Sequence, residues 1–548
     1  MTDPLEFFKR YSITPRPQQI DVLSRVSAEW DKKKYFVLNC PTGTGKTYIA
    51  TAIADSIHNS FVLTSTLLLQ DQYEKSWDEM VNLKGRSNYR CGVNSSFTVD
   101  AAPCTLKKSL AVACKKQCIC PYYNQKNAAI RSKTMLTNPL FMLYSAHCGF
   151  ATEDSFSSRE ALIIDECHML EGQLISFAES DIDPQKIQQT YGITLSDISF
   201  GQNEYKNIEA LSMIRNRIKA ELDDLKAELA HSFPDNGDEN LQKWAKALGN
   251  DVASVANVIN KKIYSLDKVL QPINIFFDTR CETNKWIVAK HHDKNVLKLS
   301  PFSVDFIFNK YFAQLAEKFV FMSATMPPKA EFCKEFGISE AECLYIDIDS
   351  PFDPELSPIT VVPCLDLSKK NFEKNITSVG SIIDSILAEH KNEKGIIHSV
   401  TYTIASEIYS QVSDENKSRL VSRDGFTNRK KVTNAELLEI HERNENSVLL
   451  SPSMMEGVDL KDDLARFQIV MKLPWPSLGD IRIAKKMQLD QEWYNCRMWL
   501  QLVQASGRST RHDKDTSVTY ILDKNFAYFY RNYKHKLPAW FNKRITIL

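Results

Sequence analysis

The octapeptide Cys40-Pro41-Thr42-Gly43-Thr44-Gly45-Lys46-Thr47 constrains this chain more than any other stretch. Ahead of it, Tyr35-Phe36-Val37-Leu38 has strand character. Behind it, Tyr48-Ile49-Ala50-Thr51-Ala52-Ile53-Ala54 continues as a buried helix. Strand, glycine loop, Lys-Thr and helix form a phosphate-binding P-loop. Backbone N–H groups freed by the glycines cradle phosphate oxygens, and the helix N-terminus adds a favourable dipole. Lys46 is expected to reach the outer phosphates and the Thr47 hydroxyl to ligate magnesium. All eight residues are therefore candidate nucleotide contacts, with Cys40 standing where glycine is usual.

A β-α-β rhythm extends from this loop. Phe61-Val62-Leu63-Thr64-Ser65 is a second strand, and Ala161-Leu162-Ile163-Ile164 a third, running into Asp165-Glu166-Cys167-His168. Four apolar residues ending in two carboxylates suit a buried strand that delivers acids to the C-terminal edge of a parallel sheet, where ligands bind. Asp165 is expected to hold the magnesium and Glu166 to polarise the attacking water. Phe319-Val320-Phe321-Met322 and Ser323-Ala324-Thr325 return to the same pattern. Beyond Ser350-Pro351 a second sheet is expected from residues 395–399, 447–451, 467–471 and 517–522.

Two stretches interrupt the rhythm. From Lys84 to Lys133, ten basic residues stand against Asp100 alone, although the formal charge of the whole chain is zero. Such a stripe beside a nucleotide site is a candidate for contacting a phosphate backbone. Five of the thirteen cysteines fall in it: Cys91, Cys104, Cys114, Cys118 and Cys120. With no secretory pattern, a metal or cluster site is a better reading than disulfides. The second stretch repeats apolar residues every three or four positions, from Ile208 through Leu229 and from Leu241 through Leu266. Phe233-Pro234-Asp235-Asn236-Gly237-Asp238 lies between the two series as a turn, so the pair is expected to be a long helical hairpin. No apolar run approaches the ~20 residues of a bilayer span, and the chain is expected to be soluble and intracellular.

The ordered set of motifs matters more than any one of them. P-loop, Asp-Glu-x-His, Ser-Ala-Thr, Glu456-Gly457-Val458-Asp459 and Gln504-x-x-Gly507-Arg508-x-x-Arg511 occur in that order. Together they resemble the motor of superfamily-2 helicases. The Asp-Glu-Cys-His spelling, the cysteine insertion, Lys84-Gly85-Arg86-Ser87-Asn88-Tyr89-Arg90-Cys91 and Lys472-Leu473-Pro474-Trp475-Pro476 resemble the XPD/DinG family of iron–sulfur DNA helicases, from Arg16 to about Asp523.

That resemblance implies an α/β fold of two RecA-like P-loop domains with parallel sheets, plus an inserted iron–sulfur domain and an inserted α-helical arch. The expected bounds are 1–85, 134–172 and 301–345 for the first RecA-like domain, 86–133 for the cluster domain, 173–300 for the arch and 346–548 for the second RecA-like domain. It implies that Gln19 reads adenine, that Lys46, Thr47, Asp165 and Glu166 bind and hydrolyse ATP with magnesium, and that His168, Ser323 and Thr325 couple hydrolysis to domain movement. Gln504, Arg508 and Arg511 would reach the γ-phosphate from the second domain. A [4Fe–4S] cluster is implied on Cys91, Cys104, Cys114 and Cys120, with Cys118 the main substitute, and zinc could use the same thiolates. Tyr89, Tyr122 and Tyr123 would stack on a single strand or pack as core.

The expected partners are single-stranded and forked DNA, with RNA-containing duplexes open and no membrane, and the chain is expected to act as a monomer. Translocation without unwinding and redox-sensing DNA binding are the competing functions. Departures from the family pattern are Cys40, Met455 and Thr510, none of which removes a charge or ligand. With some fifteen residues before Arg16, neither an N-terminal exonuclease domain nor a regulatory tail is expected.

Overall fold

The computed structural model describes residues 1–102, 104, 108–147, 156–232, 251–279, 284–422, 433–452, 460, 462–507, 512 and 514–548. In chain order the first ten strands are β1 (Tyr35–Asn39), β2 (Ser60–Leu63), β3 (Met80–Asn82), β4 (Thr134–Thr137), β5 (Arg159–Ile164), β6 (Ser180–Ile182), β7 (Trp286–Lys290), β8 (Leu297–Pro301), β9 (Ala316–Ser323) and β10 (Cys343–Asp347). Seven of them make one parallel sheet in the order β10-β1-β9-β5-β2-β4-β3. Helices cover both faces of it. Within β1, Tyr35 and Val37 enter one core while Phe36 and Leu38 enter the other. A strand buried on both sides must be apolar throughout, which is why β1 reads as a continuous run rather than an alternation.

The second sheet is also wholly parallel. Its strands are β11 (Ile359–Leu365), β12 (Gly395–His398), β13 (Leu420–Val421), β14 (Val448–Ser451), β15 (Phe467–Val470), β16 (Val518–Asp523) and β17 (Ile545–Ile547), ordered β13-β14-β12-β15-β16-β11-β17. The four strands expected from the sequence are present, and β11, β13 and β17 add to them. These three sit towards or at the sheet's edges, where short or half-polar strands pair without a long apolar run to announce them. The expected passage between domains near residue 345 falls inside β10, which pairs with β1 through Asp347. Its half-exposed Leu344 and Tyr345 hid that strand.

The cysteine-rich segment leaves the first sheet after β3 and rejoins it at β4, through helices Lys108–Lys116 and Pro121–Arg131. Arg159, at the start of β5, ties the second helix to the sheet. Its guanidinium donates to the carbonyls of Ala129, Lys133 and Ser60, and burial lowers its pKa to about 10.

The other insertion lies between β5 and β9. Helices Glu204–Ser232 and Asp251–Asp278 pack on each other, with Leu211, Ile214, Ile218 and Leu266 buried and Lys262 paired to Glu221 at 2.6 Å. The expected turn at 233–238 and Leu241, Trp244 and Leu248 lie outside the described residues. The insertion is not purely helical: β6, β8 and β7 form an antiparallel sheet at its base. Among the described residues no helix is long and apolar enough to cross a membrane.

Candidate active site

Three neighbouring strands of the first sheet end at one edge, and each ends in one of the sequence motifs. Register sets Asn39 beside Ser323, and the Cys40 N–H donates to the Ser323 carbonyl at 2.8 Å. β5 ends on the other side of β9, where Ile164 pairs with Phe321 and is followed by Asp165. The octapeptide, the two acids and the Ser-Ala-Thr turn therefore converge because β1, β9 and β5 are adjacent, although some 280 residues separate the first motif from the last.

The loop itself depends on two glycines. Gly43 has φ +88° and Gly45 φ +78°, a region that costs an L side chain about 1–2 kcal/mol. Space is short as well: a Cβ on Gly43 would lie 2.2 Å from the Phe352 ring, and one on Gly45 would lie 2.4 Å from Gln19 Nε2 and displace that amide. Cys40 needs no such freedom. It continues β1 in an ordinary conformation, wholly buried, and burial pushes its thiol up to about 12. This explains why cysteine fits where glycine is usual, and why its side chain is inert. The Thr44 hydroxyl closes the loop onto the Pro41 carbonyl at 2.9 Å, and Gly45 opens helix Lys46–Asp55. Gln19 lies against this turn, its amide donating to the Gly45 carbonyl at 3.3 Å and accepting from the Arg16 N–H at 2.8 Å.

The acids face the loop. Lys46 Nζ stands 3.8 Å from Glu166 Oε1. Asp165 is buried and accepts from the Tyr73 hydroxyl at 2.9 Å and from the Glu166 N–H at 2.9 Å. Burial and the neighbouring Glu166 push its carboxyl up to about 6, against the pull of Lys46 and Tyr73. A hard divalent cation between Asp165 and Thr47 would reverse that shift, and oxygen donors of this kind fit magnesium. Glu166 itself is held at φ +51°, a strained conformation for a non-glycine residue that clusters at functional sites. His168 Nδ1 lies 2.8 Å from Ser323 Oγ and 3.3 Å from Glu166 Oε2, and the Thr325 N–H points to Ser323 Oγ at 3.4 Å. One imidazole thus joins the acid motif to the Ser-Ala-Thr turn.

From the second sheet, helix Gln491–Ser506 delivers half-buried Gln504 and ends at Gly507. Gly507 shares a cavity of about 70 Å³ with Pro41 and Thr42 of the loop, Phe352, Lys543 and Arg544. Arg508 and Arg511, like the Glu456–Asp459 motif, lie outside the described residues. Sequence reasoning missed three residues here, two of them without any signal. Tyr73 sits in a helix with no spacing signal, and Arg544 lies far from every motif, donating to the carbonyls of Ser506 and Ser357. Phe352 was the legible one: a large aromatic directly after Ser350-Pro351, which served only as punctuation.

In the cysteine-rich segment four sulfurs converge. Burial, then the thiols of Cys114, Cys120 and Cys91, push Cys104 up to about 12, while the Arg86 guanidinium opposes them. Burial, Cys91 and Cys120 push Cys114 up to about 11. Cys118 is exposed at φ +53°, its carbonyl taken by the Asn124 amide at 2.6 Å. Gly92 lets the chain approach Ile119, since a Cβ there would lie 2.1 Å from the Ile119 carbonyl oxygen. A soft metal or cluster bound as thiolate would displace the protons that burial holds on Cys104 and Cys114. The tyrosines have structural work. Tyr122 is buried, Arg86 lies over both Tyr122 and Tyr123, and the Tyr89 hydroxyl accepts from the Lys84 N–H. Tyr122 is thus held in the local core, and half-buried Tyr89 packs against it.

Comparison with known proteins agrees with this geometry. Residues 385–544 match the helicase C-terminal domain family and residues 12–197 the family of the type III restriction enzyme res subunit. The chain is 23% identical to the ATP-dependent DNA helicase YoaA of Haemophilus influenzae over 632 residues, covering 95% of this chain and 92% of that one. It is 32% identical to regulator of telomere elongation helicase 1 of Homo sapiens over 108 residues, which is 17% of this chain and 9% of that protein. Among solved structures, an XPD helicase superposes with a TM-score of 0.62 at 16% identity, covering 98% of this chain and 100% of the other. Xpd4 of S. tokodaii gives 0.58 at 14% identity, covering 97% and 100%.

Removing the Tyr73 hydroxyl tests how tightly the acid is held. Tyr73→Phe leaves a buried carboxylate oxygen without its donor and is expected to lower stability by about 1–3 kcal/mol, read as a shifted urea midpoint. An unchanged midpoint would mean that the hydrogen bond does not hold Asp165.

Proposed function

We propose that this chain is a superfamily-2, ATP-dependent DNA helicase of the XPD/DinG type that translocates on single-stranded DNA, 5′→3′ as the family resemblance implies, and unwinds duplex DNA ahead of it. The observation that carries this reading is the shared edge: loop, acids and Ser-Ala-Thr turn emerge from adjacent strands, and Pro41 and Thr42 of the loop share a cavity with Gly507, at the end of a helix of the second domain.

In this reading ATP binds between the two sheets. The N–H groups of residues 41–47 hold its phosphates, Lys46 turns from Glu166 to the outer phosphates, and Gln19 lies against the adenine side of the loop. Magnesium, when bound through the Thr47 hydroxyl and Asp165, neutralises charge on the phosphates. Glu166 orients the attacking water and accepts its proton. Gln504, Arg508 and Arg511 approach from the second domain, where an arginine contributes a factor of roughly 10³–10⁵ in rate. Hydrolysis then requires closure, and His168 reports it to Ser323 through their 2.8 Å contact. Cys91, Cys104, Cys114 and Cys120 would hold a [4Fe–4S] cluster that cross-links three segments of the insertion. Together with the arch, that insertion guides one strand of single-stranded or forked DNA.

Two experiments decide the reading. Lys46→Ala is expected to abolish DNA-stimulated ATP hydrolysis. On a panel of forked, 5′-tailed, 3′-tailed and RNA-containing duplexes, the anaerobically prepared protein should unwind 5′-tailed substrates. ATP hydrolysis without strand separation on any substrate would favour a translocase instead. For the cluster, brown protein is expected, with iron lost in Cys91→Ser and Cys120→Ser and kept in Cys118→Ser. Colourless protein holding stoichiometric zinc would overturn the iron assignment.

A further inference from the structure

A second place where the two halves meet lies behind the acid motif and is built from buried charge. Helix Leu170–Ala178 begins two residues after His168 and carries Glu171 on its first turn. Helix Lys329–Phe336 follows the Ser-Ala-Thr turn and carries Glu335. Opposite them are two helices of the second domain, Ile481–Leu489 with Arg482 and Lys486, and Gln491–Ser506 with Arg497. Glu171, Glu335 and Lys486 are each 7% exposed. The elements that carry them are direct continuations of three motor motifs.

The pairing is uneven. Arg497 is in close contact with Glu171, and Lys334 reaches Asp490 at 2.6 Å. The others are loose: Lys486 to Glu335 at 3.6 Å, Arg497 to Glu335 at 3.8 Å and Arg482 to Glu171 at 4.0 Å. Glu171 Oε1, Glu335 Oε1, Arg482 Nη1 and Trp493 Nε1 are buried without a hydrogen-bond partner. Beside them is a cavity of about 110 Å³ that reaches His168 and Met326. Buried charges are costly unless they are close and fully bonded, so a loose set around a void favours any motion that tightens it. An approach of about 1 Å would turn three loose pairs into hydrogen bonds.

We propose that Glu171, Glu335, Lys486 and Arg497 form an interdomain clamp whose tightening registers helix Gln491–Ser506, and with it Gln504, against the acid motif. These are positioning residues: they lie outside the loop and the acids and act through them. The proposal rests on the two-domain ATPase reading above. It adds a link that runs beneath His168 and bypasses the bound nucleotide.

The test is a double-mutant cycle on the full-length protein. Glu171→Gln is nearly isosteric and Arg497→Met keeps most of the side-chain volume. Each is expected to lower DNA-stimulated kcat about 10–100-fold, as sub-ångström to ångström misplacement does, with affinity for a fluorescent ATP analogue within about twofold. The double variant should be no worse than the worse single one, and Arg497→Lys should recover part of the loss. Wild-type kcat in both single variants, losses that multiply in the double variant, or an equal loss of nucleotide affinity would each overturn the clamp. If Arg497→Met loses its cooperative melt, Glu171→Gln and Arg497→Lys decide. Lys46→Ala separates the two levels. If it still hydrolyses ATP, the motor reading fails. If it is inactive while both clamp variants turn over normally, only the clamp fails.

Discussion

The parallel register of β1 with β9 is the constraint on which the rest depends. Pairing Asn39 with Ser323 puts the end of the phosphate-binding strand level with the Ser-Ala-Thr turn, and pairing Ile164 with Phe321 sets Asp165 one step further along the same edge. Side chains alternate along a strand, so a slip of one residue would reverse every face and misalign the loop, the acids and the turn together. The apolar faces of β1 and β9 fix that register: Val37 and Phe321 bury to one side, Leu38 and Met322 to the other. Packing in the core thereby sets geometry at the edge.

That division lets the sheet carry large insertions. The cysteine-rich segment and the arch both leave and re-enter by strands whose places are already fixed, so neither has to be continuous with the core. Arg159 joins the cysteine-rich segment to the base of β5. The buried charges between the acid-motif helix and the second domain are a more direct connection. They place polar, water-seeking groups where an apolar contact would have been more stable, a choice that suits an interface meant to open and close.

What was legible in the sequence follows the same division. The strands that end in motifs were readable, since full burial forces long apolar runs and chemistry fixes the residues that follow. Edge strands such as β10 and β13, the small antiparallel sheet of the arch and the contact between Tyr73 and Asp165 were not. Their pairing depends on backbone or on a single side chain brought in by tertiary packing. Cys40 looked like a departure and is explained by a conformation that needs no glycine. Among the cysteines, spacing left Cys104, Cys114 and Cys118 in competition, whereas the folded segment gathers Cys104 and Cys114 with Cys91 and Cys120 and leaves Cys118 exposed. The Glu171–Arg497 pair had no signal at all, because each residue is ordinary on its own helix.

The central claim is that the nucleotide site is completed only when the two sheets approach each other. It is tested most directly by single-molecule energy transfer between dyes placed by non-natural amino acids at exposed Arg25 and Lys391, one on each domain. Adding a non-hydrolysable ATP analogue with single-stranded DNA should shift the population to a discrete, altered distance, and Lys46→Ala should suppress the shift. A distance unmoved by nucleotide in the active protein would contradict the account.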